Sequence, residues 1–167
     1  MEALTLREIN DTCTSIINNS PPDYPELRSF FTTAYTFGLR WIEIFELHRW
    51  SFANESTITV KTAKRGNPRE LKSRDVEQKI IDMIISEVPY WELCRYNTIR
   101  YYAQHYSPYP FASCGKKEIG VHIFRHCFVK NLADMGITPE EIQIILGERT
   151  LESVNGYIKS NIFPQPQ

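Results

Sequence analysis

No stretch of this chain is apolar for long enough to cross a membrane, and the opening MEALTLREIN has no apolar run of the length a signal peptide needs. A membrane partner is therefore not expected. Cysteine is sparse and unpatterned: Cys13, Cys94, Cys114 and Cys127 form no C-x-x-C pair. They are read as thiols of a reducing cytoplasm, with a disulfide or zinc framework as the alternative. Repeats, linkers and low-complexity segments are missing, which points to one domain over residues 1–167. Nor does one sign of charge dominate. With 19 Lys and Arg against 20 Asp and Glu, the net charge of −1 does not by itself announce a nucleic-acid binder.

What is present is ordinary in amount and uneven in placement. Hydrophobic residues at 42% and charged residues at 23% suit a globular domain able to bury a core. Lys61, Lys64, Arg65, Arg69, Lys72 and Arg74 crowd one short segment against a single acid, Glu70. Such a run either holds a polyanion or is simply a solvated face.

Periodicity predicts a mainly α domain with a small β-hairpin or three-stranded sheet. Thr5 and Glu8 form a capping-box pattern ahead of Leu6, Ile9, Cys13, Ile16 and Ile17. Leu27, Phe30, Phe31, Ala34 and Tyr35 give a second helix ending near Gly38, and a third runs from Arg40 through His48. β-branched residues at 56–60 and the turn Arg65-Gly66-Asn67-Pro68 place the sheet within 50–72. Val76, Ile80, Ile84 and Val88 share a helical face; another helix is expected near 96–106, then a loop through Pro108, Pro110 and Gly115. Phe124 to Met135 is a helix stopped by Gly136. Thr138-Pro139-Glu140-Glu141 starts the next, with Ile142, Ile145 and Leu146 facing the core and Gly147 ending it, and Thr150 caps a last helix that holds Tyr157.

Singly, the polar residues mean little. His122 and Arg125, three apart on a helix, suit a surface hydrogen-bonding pair as well as an anion site. Together they form an ordered series. His122-Ile-Phe-Arg125-His126, an apolar helix, Gly136, Leu146-Gly147 and Tyr157 resemble the second box of the tyrosine recombinase (phage-integrase) catalytic domain. Position 148 lies 23 residues after Arg125 and nine before Tyr157, as in that family. Thr36-Phe37-Gly38-Leu39-Arg40-Trp41-Ile42-Glu43 resembles its first box, and Lys64, 24 residues past Arg40, falls on the hairpin where the family has its lysine.

The resemblance implies site-specific recombination of DNA through a 3′-phosphotyrosine, with no metal or nucleotide cofactor. Arg40 and Arg125 would hold the non-bridging phosphate oxygens, and His122 would accept the proton of Tyr157. Lys64 would protonate the departing 5′-oxygen, with Lys61 and Arg65 as the other candidates. Glu43 orients Arg40, braces the fold or is a plain helix-surface acid; His126 and Cys127 are assigned to packing, and Arg125 to the phosphate rather than the core. Double-stranded DNA is the implied partner, with self-association into a synaptic tetramer or a partner recombinase, in the cytoplasm at the nucleoid. The origin would be a phage-like or mobile element. A catalytically impaired DNA-binding accessory or regulatory relative is the alternative.

Two departures stand out. Position 148 is Glu where the family has His or Trp, and an ionised carboxylate donates no hydrogen bond. At roughly 5 Å from a phosphate and an effective dielectric near 20 it would oppose reaction by about 3 kcal/mol, on the order of a hundredfold. Protonation, turning away, or pairing with Arg149 would relieve this. The other departure is that Thr5 is expected to begin the catalytic domain, so the family's N-terminal core-binding domain is expected to be absent. Beyond Tyr157, Ile158, Ile162 and Phe163 are expected to dock on this subunit or a neighbour.

Overall fold

Capping sets the first helix in place. Thr5 Oγ1 accepts from Glu8 N at 3.2 Å while Glu8 Oε1 accepts from Thr5 N at 3.0 Å, starting α1 (Leu6–Asn18). The structure, a computed structural model, describes residues 2–54, 57–72, 78–109 and 122–164. Ile9, Cys13 and Ile16 are buried on α1, which packs on α2 (Pro25–Phe37). Leu27, Phe30, Phe31 and Ala34 of α2 are buried, and Phe30 meets Phe31, Trp41, Phe45 and Trp91 ring to ring.

Gly38 stops α2 in the left-handed conformation (φ 67°), and α3 (Trp41–Phe45) follows at once. The single helix expected through His48 breaks at Glu46, which is extended, and a 3₁₀ turn over Leu47–Arg49 replaces it. Buried Trp50 accounts for the break. Its indole Nε1 donates to Glu43 O at 2.9 Å, so the chain must double back to enter the sheet.

The sheet is antiparallel in the order β1 (Trp50–Asn54), β2 (Thr57–Val60), β3 (Arg69–Lys72). Ile58 pairs with Leu71 and Val60 with Arg69, so alternation turns all four side chains inward. Between β2 and β3, Gly66 N donates to Ala63 O at 3.2 Å, closing a turn whose central residues Lys64 and Arg65 both have positive φ (57° and 63°).

Helix α4 (Gln78–Trp91) buries Ile81, Ile84, Val88 and Trp91, with Ile80 partly covered; Val76 lies outside the described residues. α5 (Tyr96–Tyr106) lies where a helix is expected, whereas Pro110, Gly115 and Cys114 also lie outside the described residues. Helix α6 (Ile123–Asp134) joins the two cores, packing on α1 and α2 on one side and on α7 (Pro139–Leu146) and α8 (Leu151–Lys159) on the other. Thr138 caps α7 and Thr150 caps α8, each accepting from a backbone N–H three residues on. Ile142 and Leu146 fill the smaller core with Val129 and Val154, but Ile145 is 40% exposed, contrary to expectation. With α7 only two turns long, the i, i+4 pair covers the inner stripe and Ile145 falls at its edge.

The last segment docks within this subunit. Ile162 is buried, its carbonyl accepts from Leu4 N at 2.7 Å, and Lys130 Nζ donates to the Ile158 and Ser160 carbonyls. Cys13, Cys94 and Cys127 are buried free thiols. Gly38 is the most demanding joint of this framework: a Cβ there would stand 2.4 Å from the Phe128 ring, at a φ that costs alanine about 1 kcal/mol. Gly38→Ala should therefore lower stability by about 2–4 kcal/mol in urea denaturation. A loss under about 1 kcal/mol would mean that α2 and α6 pack elsewhere.

Candidate active site

Three arginines from separate segments are buried side by side. Arg40 caps α3 with its backbone N donating to Glu43 Oε1 at 2.7 Å, and its Nη1 reaches Glu43 Oε2 at 3.1 Å. Glu43 is fully buried and also accepts from Ala63 N at 2.9 Å, which ties the β2–β3 turn to Arg40. It orients Arg40 and braces the fold at once, so the helix-surface reading falls. Arg125, in the first turn of α6, donates from Nη1 to Gly38 O at 2.8 Å and stands 3.8 Å from Glu43 Oε1. It is 1% exposed, so the expectation that it stands apart from the core needs correction: its side chain is part of the buried interior.

Arg69 on β3 is the third, and sequence reading missed it by counting it in a surface basic run. The available signal was alternation, because Arg69 shares its strand face with buried Leu71. Its Nη2 donates to Phe37 O at 2.7 Å. The last carbonyls of α2, the negative end of that helix, thus hold two guanidinium groups. Burial pushes Arg69 down to about 9, with Arg125 and Arg40 adding repulsion against the pull of Glu43 and Glu148, so it remains charged at neutral pH.

Glu148 completes the cluster in an unexpected way. It pairs with the two arginines expected to take the phosphate, not with Arg149. Its Oε1 accepts from Arg40 Nη2 and, at 2.5 Å, from Arg125 Nη2. The backbone that carries it is held from both sides: Glu148 N donates to Gln143 O at 3.0 Å, and Gly147 O accepts from Asn67 N at 2.8 Å. Gly147 (φ 69°) and Gly66 make that approach possible, since a Cβ on either would stand within 2.3 Å of the facing carbonyl oxygen.

Lys64 and Arg65 are exposed at the turn docked on Gly147, and Lys61 is exposed beside them. His122 stands at the N-terminal end of α6 with part of its surface exposed. Desolvation first, then the charges of Lys64, Arg125 and Arg40, hold its imidazole below the ordinary range, so it is neutral at pH 7 and able to accept a proton. Tyr157, half-buried on α8, lays its ring over Arg125 (Cζ 5.5 Å from the centroid) and meets the His126 ring edge-on at 4.8 Å. His126 also contacts Ser160 Oγ through Nδ1 at 3.2 Å, in keeping with a packing role. Arg40, Glu43, Arg125 and Glu148 are in direct contact, Tyr157 rests on Arg125, and Lys64 and His122 are exposed.

No protein-family model matches the chain, and no curated protein is similar enough in sequence to match it. Solved structures that share its fold include two crystal structures of recombinases. XerA recombinase aligns at TM-score 0.61 and 17% identity, over 96% of this chain and 60% of its own. The XerH site-specific recombinase, bound to a palindromic difH substrate in a post-cleavage complex, aligns at 0.57 and 16%, over 93% of this chain and 48% of its own. The mainly helical architecture with a three-stranded antiparallel sheet is thus that of the tyrosine recombinases.

The histidine under Tyr157 gives this region a pH signature. Burial, then the charges of His122, Lys130 and Arg125, push His126 down to about 4. The unfolded chain, with an ordinary histidine near 6.5, binds more protons across that interval, so stability should fall as pH drops from about 6.5 towards 4. His126→Gln should flatten the slope of unfolding free energy against pH in that window, measured by urea denaturation. An unchanged slope would assign the loss to other groups.

Proposed function

We propose that this chain cuts and rejoins DNA strands as a site-specific recombinase, with Tyr157 as nucleophile. The observation that carries the reading is the convergence of Arg40 and Arg125, from segments far apart in sequence, on one anionic oxygen. Two charge-assisted donors on one oxygen match what a phosphoryl transition state needs, as negative charge gathers on its non-bridging oxygens. The Tyr157 oxygen attacks phosphorus while its proton passes to neutral His122, and the P–O5′ bond breaks as Lys64 donates a proton to the leaving oxygen. The products are a 3′-phosphotyrosine and a free 5′-hydroxyl; attack by a 5′-hydroxyl on the ester rejoins a strand. Because the ester keeps the bond energy, the reaction needs neither nucleotide nor metal.

Double-stranded DNA is the proposed substrate, supported by the substrate-bound XerH neighbour and by the exposed Lys61, Lys64 and Arg65. Exchange between two duplexes cuts four strands, so self-association into a tetramer, or a partner recombinase, belongs to the proposal. The setting is a cytoplasmic one, at the nucleoid, in a phage-like or mobile element. One observation favours a second reading, an accessory DNA-binding relative without catalysis: the carboxylate of Glu148 fills the anion position.

A nicked duplex carrying the protein's own attachment sequence separates the two. Wild type should form a covalent adduct that maps to Tyr157, and Tyr157→Phe should abolish it while DNA affinity changes less than about twofold, most affinity being to the backbone. An adduct at Tyr101 or Tyr106 would move the nucleophile. Wild type that binds but never forms an adduct, even with a partner recombinase supplied, selects the accessory reading. Lys64→Ala should lose about 10²–10⁴-fold in cleavage and recover on a 5′-bridging phosphorothiolate, whose thiolate leaves without a proton. Rescue of Lys61→Ala in place of Lys64→Ala would transfer the acid to position 61.

A further inference from the structure

The anion position between Arg40 and Arg125 is occupied by the protein itself. Glu148 Oε1 takes one charge-assisted hydrogen bond from each. Arg40 Nε, Arg125 Nε and both Nε and Nη1 of Arg69 are buried and make no hydrogen bond among the described residues. Three guanidinium groups face two carboxylates, Glu43 and Glu148. Of the two, Glu43 is held by backbone donors as well, from Arg40 and Ala63, whereas the Glu148 carboxylate is held on the arginines. Its backbone is fixed by Gln143 and by the Gly147–Asn67 contact, so displacing the Glu148 carboxylate would be a rotation of one side chain.

We propose that Glu148 is an internal stand-in for the scissile phosphate and thereby decides which anions the site accepts; this rests on the reading that the site takes a DNA phosphodiester. A free phosphate gains from Arg40 and Arg125 about what it must break to expel Glu148, and it also gives up its own translational freedom. It is therefore rejected. A duplex brings neighbouring phosphates to Lys61, Lys64 and Arg65 at the same time, and those contacts supply the energy of displacement. Glu148 is in this sense a specificity-determining residue, because it admits a phosphate only as part of a duplex.

The test titrates inorganic phosphate into wild type, Glu148→Gln and Glu148→Ala by calorimetry at constant ionic strength. Glutamine keeps the size and an acceptor but removes the charge. Wild type should take up no phosphate at millimolar concentration, and Glu148→Gln should bind it about tenfold more tightly or better. Adding Arg125→Ala to Glu148→Gln should remove the gain, which shows that phosphate sits on the arginines. A folded Glu148→Gln that binds phosphate no better than wild type overturns the proposal and leaves Glu148 a brace for Arg40 and Arg125. If neither variant folds, the side-chain carboxyl carbon of Glu148 in labelled wild type decides: it must shift when duplex saturates the protein, and an unmoved resonance overturns the proposal. Phosphate binding needs no cleavage, so the two readings separate. A gain in Glu148→Gln with no adduct from any form removes catalysis alone, and an adduct from wild type without the gain removes the stand-in alone.

Discussion

Three guanidinium groups packed out of water repel one another and lose their hydration, and the centre of this molecule is organised around making that tolerable. Neutralisation is shared between two kinds of partner. Glu43 and Glu148 supply formal charge, and the carbonyls of Phe37 and Gly38 supply the negative end of α2. The division matters for chemistry. Helix carbonyls cannot leave, and Glu43 is fixed by backbone donors, so these two set where the arginines stand. Of the two carboxylates, Glu148 is the one whose side-chain bonds among the described residues all run to arginines, so the displacement proposed above would concentrate the adjustable part of the electrostatics in one side chain.

The same cluster explains why α2, the β2–β3 turn and the α7–α8 connection meet at one point. Each brings backbone that hydrogen-bonds into the cluster or docks on its edge, and glycines at 38, 66 and 147 let the approaches be closer than any side chain would permit. Tyr157 reaches the assembly from the smaller core through α8, resting on Arg125 and His126. Chemistry and packing therefore share residues. Arg125 is among the largest fully buried side chains and a phosphate ligand in the proposed reaction, so its loss would read out in stability and in activity together.

Much of this was legible in the sequence because the signals are local. Capping patterns at Thr5, Thr138 and Thr150, glycine stops at 38 and 147, and alternation at 57–60 each act over a few residues, and the elements follow them. The spacing from Arg40 to Lys64 and from Arg125 to Tyr157 carried the fold resemblance for the same reason. What escaped depends on contacts between distant segments. Arg69 sits in a run of basic residues and is distinguished from Lys61 or Arg65 only by strand register and by the helix end it meets. Glu148 shows only as a mismatch in a motif; which anion position it fills follows from bringing residues 40, 125 and 148 together. Ile145 fails for a smaller reason, the narrowness of a two-turn helix face.

The turn that presents Lys64 has a consequence for how this sequence is free to drift. Two successive non-glycine residues with positive φ cost on the order of 1 kcal/mol each, and Asn-Gly at those positions would relieve most of that. Selection for heat tolerance alone would therefore erode the lysine and the arginine, trading charge for comfort of the backbone. A lineage that retains both at 64 and 65 is being held there by something other than folding, and a stability-optimised version of this protein would be the wrong place to look for its activity.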